Sequence, residues 1–515
     1  MGASRHNAKF SSILFPGGEE PEPAEVPPFF RDLNFDLIVA AVAGKRSDYE
    51  LAPFFAAPLE SVADVQYRHA VFGDLEREEV RGPVSEFAAN ILRVRRFFDL
   101  ARKLNYSVQQ QRWRLDAAVG YVDAISILRK ALDDVDLGSD ALIEWRLFLA
   151  EYAGSAEFVQ FADEAHSVAR GLDRVRYAIR IKENHISVRP YEDEADYMVE
   201  IEQTFERFRQ GDVQDHLAIP ADSGSMDHVE AQIAERVVRL YPEEFAALGA
   251  FCGRWPDFIH PLVRRFEREV QFYLGWLQEV EELGEFGLEF CYPEVSDESK
   301  EVGADGIFDL ALATKVAAKG TEIVRNDFKL SGAERILVVS GPNQGGKTTF
   351  ARAFGQLHQL ARLGVPVPAE NARLFLADEI YTHFEREEDV KTLRGKLDDE
   401  LERMKQILEQ ATGNSVVILN EIFSATTHAD AIILGSDVLT RLSELDCLGV
   451  CVTFVDELAS LCESTVSMVA TVDPNDPSIR TFQIVRRAAD GRAYAWALAR
   501  KYGLSYERLQ ERLSR

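Results

Sequence analysis

The chain has 515 residues, of which 46% are hydrophobic and 28% are charged, and its formal net charge at pH 7 is -28. This length suggests about three domains, with enough apolar side chains for sizeable cores. The acidic balance excludes a general nucleic-acid binder, because phosphate contacts need a high local density of Lys and Arg. A local basic stripe is still compatible with it, since net charge does not describe the distribution of charge.

The cysteines and the longest apolar runs narrow the class of protein. The chain has 5 cysteines without CxxC spacing, which argues against both a disulfide framework and a zinc site. No stretch is long and apolar enough for a transmembrane helix, and the N-terminus lacks a secretory signal pattern. We therefore expect a cytoplasmic protein that makes no contact with a membrane.

The N-terminal half is predicted to be helical after a short leader. Residues 1–28 are expected to be a flexible leader, because their Pro, Gly and Glu run cannot build a core. Residues 29–290 are expected to form a helical core and lever region, since apolar residues recur at spacings of three and four. Breaks between helices are expected near Gly82-Pro83, at Asp134–Gly138 and at Gly211–Ser225.

One segment of the helical region predicts a β-hairpin. Residues 176–190 alternate in polarity around Glu183-Asn184, which is typical of two short strands joined by a turn. Basic side chains accumulate in and beside this segment, at Arg174, Arg176, Arg180, Lys182 and Arg189. Two interpretations stay open: contact with a phosphate backbone, or a solvated hairpin whose charges are balanced by neighbouring carboxylates.

The C-terminal part predicts an α/β domain. Residues 291–320 are expected to be a connector, 321–490 the α/β domain, and 491–515 a pair of helices. Helical stretches separate the first strands, which favours a largely parallel sheet and a multidomain fold of class α plus α/β. The predicted strands are Ile336–Val339, Val416–Leu419, Val450–Thr453, Val466–Ala470 and Phe482–Val485.

The strongest chemical signal is the G-x-x-x-x-G-K-[ST] pattern of residues 341–348, between a predicted strand and a predicted helix. Loop N–H groups and the helix N-terminus can bind phosphates, Lys347 adds a full charge for the β- and γ-phosphates, and Thr348 offers a hydroxyl to Mg²⁺. The predicted ATP-binding residues of this loop are Gly341, Pro342, Asn343, Gln344, Gly345, Gly346, Lys347, Thr348 and Thr349.

A second polar site ends the predicted strand at Val416–Leu419. Asn420 stands where P-loop ATPases commonly have an Asp linked to Mg²⁺, so we expect it to reach the ion through water and to bind it less tightly. Glu421 is the candidate general base, because a carboxylate there can polarise water aimed at the γ-phosphate. The predicted catalytic residues are thus Glu421 and Lys347, and the predicted metal-binding residues are Thr348 and Asn420.

Several motifs in order resemble the MutS family of ATPases. The loop Gly341–Thr349 is close to the family's GPNMGGKST, and residues 364–369 are similar to its GxxVPA turn. Residues 380–383 resemble its IFTR strand, and residues 420–422 take the place of its DEI. The resemblance is specific over residues 321–515. It is weaker over about residues 30–290, where the helical pattern of the chain is similar to the family's core, lever and clamp.

The resemblance implies a fold, partners and further site residues. It implies a P-loop domain of the MutS type, and a homodimer whose ATP cycle opens and closes a clamp on DNA, selected by structure rather than sequence. Repair proteins are possible partners, and residues 491–515 are implied to contact the partner subunit. Ile323 falls where relatives stack an aromatic ring on adenine, and Gly395 and Lys396 fall near a segment that reaches the partner's γ-phosphate.

The chain also departs from the family at several positions. The resemblance begins about 30 residues from the start, so we expect no separate mismatch-reading domain. Leu397 replaces a serine, Phe454 replaces a histidine, and Asn420 replaces an aspartate, which together predict a slow nucleotide cycle. His428, in the loop after Glu421, is either a solvated side chain or part of catalysis, and Thr426 and Thr427 are expected to cap the next helix.

Two other functions compete with a DNA-dependent ATPase. The chain could be a nucleotide-gated scaffold with very slow turnover and a protein partner, which Asn420, Phe454 and the acidic charge favour. A transporter-type or chromosome-structural ATPase shares the dimeric arrangement. The lack of an LSGGQ-type segment and of long heptads argues against that class.

Overall fold

The computed structural model describes residues 10–18, 25–182, 185–192, 226–385, 396–424, 426–476 and 478–489. These residues divide into two compact units. The described part of the first contains Phe10, Arg77–Leu137 and Leu142–Glu267. The described part of the second contains Ser11–Glu76, Gly138–Ala141 and the residues from Arg268 onward.

The first unit consists of helices and one hairpin. Its core is rich in aromatic rings, and the Trp145 ring stacks on Phe266 with centroids 3.9 Å apart and an interplanar angle of 6°. Stacked rings of this kind contribute about 0.5–1.5 kcal/mol beyond their burial. The helices of this unit, two of which extend beyond it, are Glu78–Lys103, Ser107–Asp133, Asp140–Gly154, Ala156–Leu172, His228–Leu240, Pro242–Arg254 and Pro261–Gly284.

The predicted break at Gly82-Pro83 is wrong, because Pro83 lies inside the helix Glu78–Lys103. Pro83 lacks an N–H for the carbonyl of Glu79. Burial of Val80 and Phe87 on either side compensates for that missing bond and keeps the helix continuous. The break predicted at Asp134–Gly138 is confirmed, whereas Gly211–Ser225 lies outside the described residues.

The predicted hairpin is confirmed. Strands β1 (Tyr177–Lys182) and β2 (His185–Pro190) pair antiparallel, with Ile179 opposite Val188 and Arg180 opposite Ser187. The polar alternation that predicted the strands is therefore the alternation of the two faces of the ribbon.

The second unit contains a six-stranded and a four-stranded sheet. Its strands are β3 (Glu294–Ser296), β4 (Val302–Ile307), β5 (Asn326–Leu330), β6 (Ile336–Ser340), β7 (Asn371–Phe375), β8 (Ile380–His383), β9 (Val416–Asn420), β10 (Leu448–Val452), β11 (Thr465–Val472) and β12 (Arg480–Arg486). The larger sheet has the order β12-β11-β6-β10-β9-β8, and all its pairs are parallel except that of β11 with β12. β6, β9 and β10 are buried along their whole length, as expected for strands covered on both faces. The five predicted strands of this sheet are thus confirmed.

The expected connector, residues 291–320, does not form a separate segment. It supplies β3 and β4 to the smaller sheet, whose order is β3-β7-β4-β5. β4 pairs antiparallel with both β5 and β7, so residues on either side of the predicted boundary at residue 321 share one sheet. Short strands with little alternation explain why the sequence did not indicate them.

Helices cover the larger sheet. One layer buries Met404, Ile407, Val438 and Leu439 in a cluster with sheet residues such as Val417. The helices of this unit, two of which also extend into the first, are Phe29–Asp32, Phe35–Gly44, Ala52–Phe55, Val62–Leu75, Asp140–Gly154, Pro261–Gly284, Leu310–Val316, Lys347–Arg362, Lys396–Gln410 and His428–Glu444. Short 3-10 turns occur at Ser47–Tyr49, Ala317–Lys319 and Asp456–Ser460. No helix in the described part of the chain has the length and apolar character to cross a bilayer.

The helix Lys347–Arg362 is buried on nearly all sides, although it carries polar residues. These residues donate hydrogen bonds to backbone carbonyls of the N-terminal segment. Arg352 Nε reaches Asp32 O at 2.9 Å, Gln356 Nε2 reaches Leu33 O at 2.9 Å, and Gln359 Nε2 reaches Phe55 O at 3.3 Å. This helix is therefore held between the sheet and residues that precede it by about 300 positions.

Part of the expected leader is packed rather than flexible. Ser12 and Ile13 are buried. Ser12 Oγ and the Ile13 N–H donate to the two carboxylate oxygens of Glu269 at 2.7 and 2.9 Å. Arg68 Nε donates to Leu14 O at 2.9 Å, and Arg68 Nη1 donates to Leu363 O at 2.7 Å. Residues 10–18 thus differ from the expected leader, and residues 29–76 group with the sheets rather than with the helical unit.

Candidate functional site

The candidate site lies at the carboxyl ends of three neighbouring strands of the larger sheet. The loop 341–346 follows β6, Glu421 follows β9, and Phe454 follows β10 by two residues. Open parallel sheets bind ligands at this edge, because the strand ends open into a crevice lined by loops and helix N-termini. The order β6-β10-β9 therefore brings together residues that lie far apart in the sequence.

The loop has a backbone that suits a cradle of N–H groups. Gly341 has φ 115°, and a Cβ there would lie 2.9 Å from Ala470 O, so a side chain does not fit. Gln344 adopts φ 59° and Gly346 adopts φ 90°, both in the left-handed region. The helix Lys347–Arg362 begins directly after the loop, and its N-terminal N–H groups and dipole favour an anion there.

Lys347 is 4% exposed and holds the loop together. Its Nζ donates to Gly341 O at 2.9 Å and to Pro342 O at 3.1 Å, and it lies 4.4 Å from the centroid of the Phe454 ring. Burial lowers the pKa of Lys347, the negative charge of Glu421 raises it, and the positive charge of Arg480 lowers it. The site thus contains a largely desolvated cation, which an anionic ligand would stabilise.

Thr348 and Asn420 form the neutral part of the site. Thr348 Oγ1 donates to Asn420 Oδ1 at 2.9 Å, and Asn420 is 8% exposed. Two neutral oxygens side by side suit a hard cation such as Mg²⁺ when phosphate oxygens complete its shell. The set lacks the full charge that an aspartate would add, so these residues fit Mg²⁺ but would hold it only weakly on their own.

Glu421 follows β9 in an unusual conformation. Its φ is 56°, and its N–H donates to Val452 O at 2.8 Å, which extends the β9–β10 ladder by one bond. Non-glycine residues rarely adopt positive φ, and such strain tends to occur at functional sites. Burial raises the pKa of Glu421, Lys347 opposes that shift, and Glu385 adds to it. A carboxylate with a raised pKa is a better proton acceptor than an ordinary surface glutamate.

A cavity of about 390 Å³ adjoins the loop and Glu421. Ile323 lies in its wall, together with Leu312, Val316 and Phe482. Its size and its largely apolar lining suit a flat, partly apolar group such as a nucleobase, held next to the phosphate loop.

The structure brings together most of the predicted site residues. The loop residues from Gln344 to Thr349, Ile323 and Glu421 line the cavity, and Asn420 contacts Thr348. Gly395 lies outside the described residues, and Lys396 begins the helix Lys396–Gln410. The predicted helices of residues 491–515 also lie outside the described residues.

The structure describes all three predicted polar residues of the loop after Glu421, of which Thr426 donates from Oγ1 to Asp430 Oδ2 at 3.3 Å. His428 is exposed at the start of the helix His428–Glu444, with Nε2 3.8 Å from Glu457 Oε1. Thr427 caps that helix by accepting a hydrogen bond from the Asp430 N–H, as predicted. His428 is thus solvated in this structure, in agreement with the simpler of its two interpretations.

Several residues of the site were not predicted from the sequence. Phe482 has φ 59° and lines the cavity, and its carbonyl accepts a hydrogen bond from Asn326 Nδ2 at 3.2 Å. Arg480 Nε donates to Asn343 O at 3.1 Å and so ties β12 to the loop. The sequence carries no local signal for either residue, because only the pairing of β11 with β12 brings them to the loop.

The parallel sheet, the glycine-rich loop after β6 and the lysine at the following helix N-terminus define a P-loop nucleotide-binding domain. Residues 337–511 match the family described as MutS domain V. This part of the chain is therefore a MutS-family ATPase domain.

Curated relatives share this part of the chain. Endonuclease MutS2 of Thermus thermophilus is 31% identical over 194 residues, which are 37% of this chain and 26% of the relative. DNA mismatch repair protein MutS 1 of Halobacterium salinarum is 30% identical over 207 residues, 39% of this chain and 24% of the relative. DNA mismatch repair protein MutS of Thermus aquaticus is 34% identical over 146 residues, 28% of this chain and 18% of the relative. The matched segments thus span about a quarter or less of these proteins.

Proposed function

We propose that the chain is a MutS-like ATPase, in which ATP binding and hydrolysis at this site drive a dimeric clamp on mismatched or otherwise structured DNA. The observation that carries the proposal is the convergence of Lys347, the Thr348–Asn420 pair and Glu421 beside one cavity, within a MutS domain V. ATP is the nucleotide that the family implies.

At the phosphate end, this chain's own groups bind and neutralise charge. The loop N–H groups and the N-terminus of the helix Lys347–Arg362 donate to phosphate oxygens. The Lys347 ammonium, already stripped of most water, exchanges its carbonyl partners for the β- and γ-phosphates. Charge-assisted bonds of this kind contribute about 1.5–3 kcal/mol each.

At the metal side, the Thr348 hydroxyl would bind Mg²⁺ directly, and Asn420 Oδ1 would hold one of its waters. The ion, when bound, would neutralise charge between the β- and γ-phosphates. Asn420 orients the Thr348 hydroxyl through the 2.9 Å hydrogen bond between them. Because Asn420 is neutral, we expect the site to bind Mg²⁺ weakly and to hydrolyse ATP slowly.

We expect Asn420→Asp to lower the Mg²⁺ concentration needed for half-maximal ATPase activity by roughly tenfold. The added carboxylate attracts the divalent ion, and its desolvation in a buried position offsets part of that gain. The measurement is a Mg²⁺ titration of steady-state hydrolysis. Asn414→Asp, at an exposed loop position, makes the same charge change away from the site and should leave the titration unchanged. An unaltered midpoint in Asn420→Asp would remove Asn420 from the metal site.

Glu421 is the base of the proposed reaction. Its carboxylate accepts a hydrogen bond from the attacking water and takes the proton as the water oxygen bonds to the γ-phosphorus. The raised pKa of Glu421 increases its strength as a base and also sets the pH below which it becomes protonated. In the cavity, Ile323 and Phe482 would contact the adenine ring of the nucleotide.

The DNA part of the proposal is supported by the hairpin in the helical unit. In its register Ala178 lies opposite Arg189, Arg180 opposite Ser187, and Lys182 opposite His185. Directly opposed residues share one face of a ribbon, so Arg180, Lys182 and Arg189 lie on the same face. Arg189 contacts Glu192 at 3.6 Å, with side chains 46% and 73% exposed, so this ion pair is weak. Such a row of cations suits a phosphate backbone and offers no base-specific contact.

We expect the double variant Arg180→Ala, Arg189→Ala to weaken DNA binding about equally for every sequence. Two lost phosphate contacts should reduce the slope of log K against log salt by about 2. The measurement is a fluorescence anisotropy titration at several salt concentrations. The double variant Lys103→Ala, Lys130→Ala removes two exposed cations from helices of the same unit and is the matched control. Equal salt slopes for the two double variants would favour the solvated hairpin.

The alternative function is a nucleotide-gated scaffold with very slow turnover and a protein partner. The neutral Asn420 and the Phe454 ring over Lys347 favour it, since both weaken the catalytic site. One experiment separates the two functions: ATP hydrolysis and binding to duplex, mispaired and branched DNA, with and without ATP, at stated salt. Binding that depends on ATP and on DNA structure supports the clamp. ATP binding with neither DNA binding nor DNA-stimulated hydrolysis supports the scaffold.

The dimeric part of the proposal rests on the family resemblance. Gly395 and Lys396 are the candidate contacts to the partner's γ-phosphate, and residues 491–515 the candidate dimerisation segment. Sedimentation equilibrium with and without ATP tests this part, and a monomer under both conditions would contradict it.

A further inference from the structure

The ring of Phe454 lies against the ammonium group on which the proposed ATP site depends. Lys347 Nζ is 4.4 Å from the ring centroid, well inside the distance of about 6 Å at which a cation is attracted to an aromatic face. The same Nζ donates to Gly341 O and Pro342 O. The ammonium thus contacts two carbonyls and one ring.

The backbone on both sides of Phe454 is fixed, so its position is set by the fold. The Thr453 N–H donates to Val339 O at 3.0 Å, and the Val455 N–H donates to Thr453 Oγ1 at 3.0 Å. Thr453 and Val455 are 3% and 6% exposed, whereas Phe454 is 48% exposed. A rigid strand end therefore presents a half-exposed ring to the buried lysine.

The Phe454 ring and a triphosphate compete for the ammonium of Lys347. The face of an aromatic ring carries partial negative charge, which attracts the ammonium and repels phosphate oxygens. A phosphate that recruits the ammonium must draw it from the ring and the two carbonyls. Lys347 is only 4% exposed, so its ammonium depends on the few partners that surround it.

We propose that Phe454 is a positioning residue that holds the Lys347 ammonium against the loop, and so sets the discrimination between nucleoside triphosphates and nucleotides with fewer phosphates. The inference rests on the proposed ATP site. The ring weakens binding of those ligands that need the ammonium, and it leaves ligands that do not reach Lys347 unaffected.

The test varies the electrostatics of the ring while nearly preserving its size. Phenylalanine with one, two and three ring fluorines is incorporated at position 454 of the full-length protein, since fluorination progressively removes the negative charge of the face. Kd values for ATP, ADP and AMP are measured by calorimetry with Mg²⁺ present. We expect ATP binding to tighten stepwise, by about three- to tenfold at the third fluorine, with a smaller effect for ADP and none for AMP.

Two further variants keep the outcome interpretable. Phe454→Leu removes the aromatic face, keeps an apolar side chain, and should tighten ATP binding to a similar extent. Phe286 is also half exposed, at 51%, and lies outside the cavity lining, so the same fluorine series there is the matched control and should leave all three affinities unchanged.

The outcomes separate this inference from the function on which it rests. ATP affinity that is independent of fluorination, that weakens with it, or that changes equally for AMP would overturn the role of Phe454. Absence of ATP binding in the unmodified protein would instead overturn the ATP site itself.

Discussion

Replacing Lys347 with alanine is expected to weaken ATP binding by at least about a hundredfold and to abolish hydrolysis. Lys347 is 4% exposed, and its ammonium would donate charge-assisted hydrogen bonds to the phosphates, at about 1.5–3 kcal/mol each. Calorimetry with ATP and Mg²⁺ measures the loss. Affinity that stays within threefold of the unmodified protein would contradict the assignment of the loop.

The control for Lys347 must separate binding from folding. Removing the ammonium leaves Gly341 O and Pro342 O without their donor, which can loosen the loop. Lys347→Met removes the same donor but fills the space of the lysine stem, so its thermal unfolding transition should lie closer to that of the unmodified protein than the transition of Lys347→Ala, while ATP binding is lost in both. Lys405→Ala, at a side chain that is 71% exposed, should keep ATP affinity.

The pKa of Lys347 adds a pH dependence to the same prediction. Burial lowers this pKa, so the group loses its proton at a lower pH than an ordinary lysine. ATP affinity should therefore fall as the pH rises through the lowered pKa. This alkaline limb should be absent in Lys347→Met, which has no proton to lose.

Glu421→Gln is expected to retain ATP binding and to slow hydrolysis by about a hundred- to a thousandfold. Glutamine can still contact a water but cannot accept its proton, and general base catalysis contributes about this factor. Removing a negative charge near the triphosphate should leave affinity unchanged or slightly higher. Single-turnover hydrolysis with radiolabelled ATP separates the chemical step from product release.

The pH profile distinguishes a base from a structural carboxylate. Burial raises the pKa of Glu421, and only the ionised form accepts a proton. The unmodified protein should therefore lose activity as the pH falls through a pKa above the usual glutamate range, and Glu421→Gln should lack that limb. Glu457→Gln is the matched control, because Glu457 is an exposed carboxylate of a nearby turn. Hydrolysis by Glu421→Gln at the unmodified rate would show that another group activates the water.

The site was largely predictable because its chemistry lies at strand ends that the sequence marks clearly. Buried apolar runs ending in Gly341 and in Asn420 indicate both the strands and the residues at their carboxyl ends. Parallel order then predicts that these ends meet. Phe482 and Arg480 escaped prediction because their role depends on how β12 pairs with β11, which local patterns do not encode.

The fold was less predictable where distant segments pack together. Ser12 and Ile13 belong to a Pro- and Gly-rich stretch with no regular period, yet Glu269 binds both. Pro83 indicated a helix end, and burial of the flanking side chains overrode that local preference. In each case a long-range contact, invisible to periodicity, decided the outcome.

The polar residues of the helix Lys347–Arg362 that bind the N-terminal segment limit where this ATPase domain can be cut from the chain. Arg352, Gln356 and Gln359 donate to carbonyls of residues 32–55, and Gln356 also donates to Asp309 Oδ1, all upstream of the family match at residues 337–511. A fragment excised at the family boundary would leave these groups without acceptors, at a cost of about 1–3 kcal/mol for each that stays buried. A fragment that keeps these three bonds therefore includes residues 32–55, so the boundary of the sequence family is not the boundary of the compact unit to which the helix belongs.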